Sequence, residues 1–151
     1  TVWVAIKLFG TMNYRFNLRM YGYDSPEVRP NNDSSFSPEV NATRKAREKM
    51  WGYRSRDYLR SRLMYRTSSG KLEGKIVTID FVDVKSSEKW GRELAVIYLE
   101  GENINESMVS HGWSRVYGGS AGLTKKNWDS WFEKFDKKWG GMSAEEKNYE
   151  I

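Results

Sequence analysis

The sequence predicts an α+β domain in which helices are appended to a small closed β-barrel. Three observations predict it: an alternating apolar pattern at the start of the chain, a strong helix start at residue 37, and the order strands, helix, strands, helix, helix along 151 residues. A chain of this length is most simply a single domain, residues 1–151, with a core of its own.

Two strands open the chain. Residues 1–9 place Val2, Val4, Ile6 and Leu8 on one face, which is the period-two pattern of a half-buried strand. Residues 10–13 then form a turn, and residues 14–21 are predicted to be the second strand.

A long helix follows the polar loop of residues 29–37. Ser37, Pro38 and Glu39 supply an N-cap, a proline at the first helical position and an acid in the first turn. We expect this helix to continue to about Met64, and Gly52 is a position at which it could bend or divide.

The second half of the chain repeats the strand-then-helix order. Residues 75–84 and 93–100 are predicted strands, and Asn103 with Glu106 resembles a capping box that opens a short helix closed by Gly112. Aromatic residues at helical spacing mark a last helix, and we interpret this stripe as core packing rather than base stacking. The stripe consists of Trp128, Trp131, Phe132, Phe135 and Trp139.

Composition narrows the possible chemistry. The chain has no cysteine and one histidine, which excludes zinc clusters and cysteine nucleophiles. His111 is better explained as a helix-end residue than as a catalyst. No apolar run approaches the ~18 residues of a membrane span, and no signal peptide is visible. Secretion and an intracellular location both remain open.

The net charge of +5 and the pI near 9.3 favour a polyanionic partner. Residues 44–66 hold nine basic residues against two acidic ones, a net charge of +7 in one window. Such a window can be a solvated helix face or a nucleic-acid-binding surface. Docking on a membrane would need an apolar face, and Ala42, Ala46 and Met50 provide only a thin one, so no membrane partner is expected.

Residues 19–27 carry the most informative motif. A strand runs into a short turn that holds Asp24 and Glu27 around Pro26, and Arg19 lies five residues before Asp24. Carboxylates bind hard metal ions, and a guanidinium binds two phosphate oxygens. The same residues could also simply shape a turn, because Asp and Pro both favour turns.

The chain resembles the staphylococcal nuclease (thermonuclease) family at four motifs in the same order. These are Arg19 with Asp24-Ser25-Pro26-Glu27, Lys89-Trp90-Gly91-Arg92-Glu93-Leu94-Ala95, Ile104-Asn105-Glu106-Ser107-Met108-Val109 and Gly112-Trp113-Ser114-Arg115-Val116. The resemblance is strongest over residues 1–117, and residues 122–140, the C-terminal helix, match only in kind. It implies a five-stranded OB-type β-barrel with about three appended helices. No obligate protein partner is evident in the sequence, and we expect a monomer.

The resemblance also implies an activity: calcium-dependent hydrolysis of DNA or RNA with low sequence preference, leaving 3′-phosphates. Carried over residue by residue, it makes Asp24 and the backbone carbonyl of Ser25 ligands of calcium. It implies that Glu27 orients or deprotonates the attacking water, and that Arg19 and Arg92 bind the scissile phosphate.

Three further residues are implied to bind the nucleic acid. Trp90 offers a flat face to a base, and Lys89 and Tyr117 could supply part of a nucleotide pocket. Core or surface roles remain equally open for Lys89 and Tyr117.

The match is incomplete at the start of the chain. The family places two aspartates at the start of its first strand, and the second, a calcium ligand, would fall just before Thr1. Either a preceding segment carries this aspartate or the protein lacks it, and we expect weak calcium binding by the chain as given. The alternative function is a catalytically silent module that binds nucleic acid, although Arg19, Asp24, Glu27 and Arg92 are all retained.

Overall fold

The computed structural model describes residues 2–8, 12–82, 93–117, 130 and 132–137. In chain order the strands are β1 (Val2–Leu8), β2 (Met12–Met20), β3 (Tyr23–Asp24), β4 (Met64–Arg66), β5 (Leu72–Gly74), β6 (Thr78–Phe81), β7 (Glu93–Leu99), β8 (Glu102–Asn103) and β9 (Arg115–Val116). The helices are α1 (Pro38–Leu63), α2 (Ile104–Ser110) and α3, the helical residues 132–137.

The main sheet has five strands in the order β1-β2-β7-β6, with β8 paired to β7. The β2–β7 pair is parallel and the other pairs are antiparallel. The sheet curls into a half-barrel, and with the three helices it confirms the predicted α+β fold of OB type. Its apolar face packs into one core cluster with α2, formed by Leu18, Met20, Ala95, Ile97, Leu99 and Ile104.

Helix α1 begins as the sequence predicts. The Ser37 side chain caps it by accepting a hydrogen bond from the Val40 N–H at 3.3 Å, and Pro38 takes the first helical position. The helix runs without a break through Gly52, so the glycine does not divide it.

A second core cluster lies between the three helices and consists of Trp51, Tyr58, Met108, Trp113, Phe132 and Phe135. The core interpretation of the aromatic stripe is confirmed for Phe132 and Phe135. Trp128, Trp131 and Trp139 lie outside the described residues. Asp136 adds a polar tie between α3 and α1, because its carboxylate accepts a hydrogen bond from Trp51 Nε1 at 2.9 Å.

Helix α2 is held at its start by the capping residue that the sequence predicts, since the Asn103 side chain accepts from the Glu106 N–H at 3.1 Å. The next asparagine is buried and ties α2 to the sheet. Asn105 Nδ2 donates to the carbonyls of Tyr21 and Ala95 at 2.8 and 3.0 Å, and its Oδ1 accepts from the Ile97 N–H at 3.1 Å. His111 caps the end of this helix, as predicted.

Two short strand pairs were not predicted. β4 and β5 form a hairpin directly after α1, and β3 pairs with β9 far along the chain. Strands of two or three residues are too short to show a period, so the sequence gives no signal for them. In the described part of the chain, no helix is long and apolar enough to cross a membrane.

Candidate active site

The pairing of β3 with β9 positions the first acidic residue of the motif. Asp24 lies opposite Arg115 in this pair, and Arg115 Nη2 donates to Asp24 Oδ2 at 3.1 Å. Both side chains are half-buried, so the ion pair is partly shielded from solvent. The sheet register therefore places a guanidinium on the carboxylate that is predicted to bind calcium.

Residues 24–27, here called the acidic turn, are anchored by two serines from elsewhere in the chain. Ser25 Oγ lies 2.6 Å from Ser114 Oγ, just before β9, and accepts a hydrogen bond from Ser55 Oγ of α1 at 3.2 Å. Pro26, within the turn, is buried. These contacts fix the turn between α1 and the segment that follows α2.

Gly52 allows α1 to approach the acidic turn closely. A β-carbon at this position would lie 2.7 Å from both the carbonyl carbon and the carbonyl oxygen of Glu27, and 2.9 Å from the carbonyl oxygen of Pro26. These are backbone atoms that cannot swing aside. The absence of a side chain at Gly52 is thus a requirement of the site, which explains why a glycine is tolerated within a helix.

Glu48 supports the acidic turn from beneath. Its side chain is 1% exposed, and Oε1 accepts a hydrogen bond from the Glu27 N–H at 3.2 Å. Oε2 forms an ion pair with Arg44 one helical turn earlier, at 3.2 Å.

The pKa of Glu48 is raised from its ordinary value to about 7, chiefly because burial penalises the charged form. The hydrogen bond from Glu27 and the charge of Arg44 offset part of this effect, while the charges of Glu27 and Asp24 add to it. Glu48 is thus a carboxyl group that changes protonation near neutral pH and is hydrogen-bonded to the acidic turn.

Arg19 reaches the site from β2. Its guanidinium carbon lies 5.1 Å from the centre of the Tyr117 ring, a cation–π contact, and Tyr117 is 41% exposed. The Tyr117 N–H donates to the Gly22 carbonyl at 3.1 Å, which fixes the segment after β9 beside the acidic turn. Tyr117 therefore touches a predicted site residue, whereas Lys89, Trp90 and Arg92 lie outside the described residues.

A cleft of about 750 Å³ brings these groups together. Arg19, Asp24, Ser25 and Glu27, four of the candidate site residues, line it, and Arg29 and Arg56 line it as well. Its volume lies within the range of small-molecule sites. Three guanidinium groups and two carboxylates around one cleft suit a phosphate group together with a cation.

The described residues provide few ligands for such a cation. No three side chains of His, Cys, Asp or Glu are grouped as a metal site within the described ranges. Asp24 and the carbonyl of Ser25 are hard oxygen donors, and Arg115 shares the Asp24 carboxylate. This donor set fits a calcium or magnesium ion that keeps several waters and is weakly held.

Several residues of the site were missed by sequence reasoning: Arg29, Glu48, Gly52, Ser55, Arg56, Ser114 and Arg115. For Arg115 and Ser114 a signal existed, because both lie in the fourth motif of the resemblance. For Glu48 the sequence contains no such signal, because a glutamate in a basic helix is expected to face solvent unless its burial is known.

A model of the family described as staphylococcal nuclease homologue matches residues 17–137. The chain belongs to this family. The match begins in β2, includes the whole acidic turn and continues through α3, further along the chain than the motif comparison extended. A comparison with curated proteins found no match.

Membership in the staphylococcal nuclease homologue family accounts for the OB-type fold and suggests nuclease chemistry.

Proposed function

We propose that this protein is a nuclease that hydrolyses phosphodiester bonds of DNA or RNA with low sequence preference and depends on calcium. The observation that carries the proposal is the convergence of Arg19, Asp24 and Glu27 on one cleft. Family membership supports the same reaction class. Arg92, Lys89, Trp90 and Tyr117 are proposed contributors by resemblance.

Each residue has a role in the proposed reaction. Glu27 takes a proton from the attacking water, whose oxygen bonds to phosphorus while the bond from phosphorus to the 5′ oxygen breaks. The 5′ oxygen takes up a proton from solvent, and the phosphate stays on the 3′ side. Arg19, with Arg92, binds the phosphate oxygens and stabilises the charge that gathers on them.

Asp24 and the backbone carbonyl of Ser25 would hold the calcium ion. When bound, such an ion polarises a phosphoryl oxygen and lowers the pKa of a coordinated water. The contacts of Glu48 and Gly52 hold the backbone of Glu27 in place, which limits the positions that its carboxylate can take.

The test is cleavage of labelled single-stranded and duplex substrates with calcium and with a chelator. Glu27→Gln keeps the side-chain shape and removes the base, so we expect cleavage to fall by about 100-fold or more while binding is retained. Glu133→Gln, an exposed change on α3, is the matched control and should cleave like the parent. Cleavage that is unaffected by Glu27→Gln would refute the assignment.

A second candidate is a module that binds nucleic acid without cleaving it. The ion pair between Asp24 and Arg115 favours it, because a guanidinium already neutralises the carboxylate that the metal would need. Under this hypothesis the parent binds nucleic acid equally well with calcium and with chelator, and neither the parent nor Glu27→Gln cleaves.

A further inference from the structure

Helix α1 carries a row of basic and aromatic side chains on one face. The row consists of Lys45, Lys49, Tyr53, Arg56 and Arg60, at spacings of four, four, three and four residues. Such spacings keep side chains on one face of a helix. At about 1.5 Å per residue the row is roughly 22 Å long.

No acidic side chain lies within this row. Glu48 is buried beneath the acidic turn, and Asp57 lies beside the row and pairs with Arg56 at 2.7 Å. Lys45 and Lys49, and likewise Arg56 and Arg60, are like charges at i and i+4, an arrangement that destabilises a helix. A face selected only for solubility would alternate the two signs, so the row is better explained by an anionic ligand.

The row is partly ordered in advance. The guanidinium carbon of Arg56 lies 4.5 Å from the centre of the Tyr53 ring, and Lys49 Nζ lies 5.9 Å from it. Tyr53 remains 36% exposed, and Lys45 Nζ donates to Asn32 Oδ1 at 3.1 Å. Side chains that are already held lose less conformational freedom when they bind.

The row is continuous with the cleft. Arg56 belongs to both, and Gly52 and Ser55 of the same helix form part of the cleft wall. A nucleic-acid strand whose scissile phosphate lay at Glu27 could thus continue along α1 beside the basic side chains of the row.

We propose that this row on α1 binds the sugar–phosphate backbone of the same nucleic-acid strand that occupies the cleft. The proposal rests on the proposed function for the identity of the ligand. The row holds four cations, so it could neutralise up to four phosphates of that strand. It acts through charge and one aromatic ring and carries no base readout, in agreement with low sequence preference.

The test compares long and short single strands by fluorescence anisotropy in chelator, so that no cleavage occurs. The variant is Lys45→Gln/Lys49→Gln/Arg60→Gln, which leaves Arg56 in the cleft. The control, Arg66→Gln/Lys71→Gln/Lys75→Gln, removes the same charge around the β4–β5 hairpin. Melting curves establish that both variants are folded.

Because the variant removes three positive charges that would face phosphates, the slope of log Kd against log salt should fall by about 2, and a ~20-nucleotide strand should bind on the order of 100-fold more weakly at ~0.1 M salt. A dinucleotide that fills only the cleft should bind as it does to the parent, and the control should lose much less affinity. An equal loss in the control, an equal loss for the dinucleotide, or no loss at all would overturn the proposal.

Failure of this inference can be told apart from failure of the proposed function. If the parent cleaves but the row variant binds long strands normally, the proposed role of the row is wrong and the proposed nuclease activity is retained. If the row variant loses binding but the parent does not cleave, the proposed role of the row is retained, and the second candidate function, binding without cleavage, is favoured. Loss of binding to anionic lipid vesicles, with unchanged binding to long strands, would assign the row to membranes instead.

Discussion

Replacement of Glu48 by glutamine tests the buried carboxyl group beneath the acidic turn. Its pKa rises from 4.5 to about 7 on folding. At about 1.4 kcal/mol per pH unit, a pKa higher by about 2.5 corresponds to roughly 3 kcal/mol of free energy of unfolding.

The sign follows from proton uptake. Because the folded state holds the Glu48 proton more tightly, its stabilising contribution is fully present below about pH 4.5 and is lost as the pH rises through about 7. The glutamine side chain of the variant does not titrate. We therefore expect the stability of the parent, relative to Glu48→Gln, to fall by roughly 3 kcal/mol between about pH 4 and pH 8.

The assay is denaturant unfolding of both proteins across this pH range, in chelator so that no cation binds near Asp24. Only the pH dependence of the difference is used, so a constant offset from the altered contact with Arg44 does not matter. Glu133→Gln, exposed on α3, provides the reference for other titrating groups. A difference between the parent and Glu48→Gln that stays flat with pH would refute the burial of a titrating carboxyl group.

The remaining predictions concern the site and the core. Gly52→Ala places a methyl group 2.7 Å from the backbone of the acidic turn, so we expect the free energy of unfolding to fall by about 1–3 kcal/mol. Cleavage should fall by a larger factor than in Gly74→Ala, the control, whose methyl group meets open space. Phe132→Ala removes a ring that is 1% exposed and should cost about 3–5 kcal/mol in denaturant unfolding; a cost below ~1 kcal/mol would contradict the packing of α3. Arg115→Gln removes from Asp24 a positive charge that competes with the metal ion for the carboxylate, so calcium binding measured by calorimetry should strengthen by about tenfold. Unchanged affinity would place the metal elsewhere.

Elements with local signals were predicted well from the sequence. The N-cap at Ser37 and the capping residue Asn103 act within three or four residues, and the structure confirms both helix starts. The alternating strands were located to within a few residues, because a period of two is visible in the sequence itself. Arg19, Asp24 and Glu27 were identified for a similar reason, since they lie within nine residues of one another.

The partners of those residues could not be predicted in this way. Arg115 is 91 positions from Asp24, and the β3–β9 pair that joins them has two residues in each strand. Glu48 and Gly52 acquire their roles because α1 packs against the acidic turn. The sequence indicated a possible bend at Gly52, although the function of this glycine is to permit the close approach.

Local patterns in the sequence specify the strand and helix order, the acidic turn with Arg19, the positive charge of α1 and the family to which these motifs belong. Tertiary structure alone decided that Glu48 is buried with a raised pKa, that Arg115 shares the Asp24 carboxylate, and that the basic row opens onto the cleft. The difference comes from distance along the chain. Caps, turns and periodicity depend on neighbouring residues, whereas burial and charge pairing depend on segments that meet only when the chain folds.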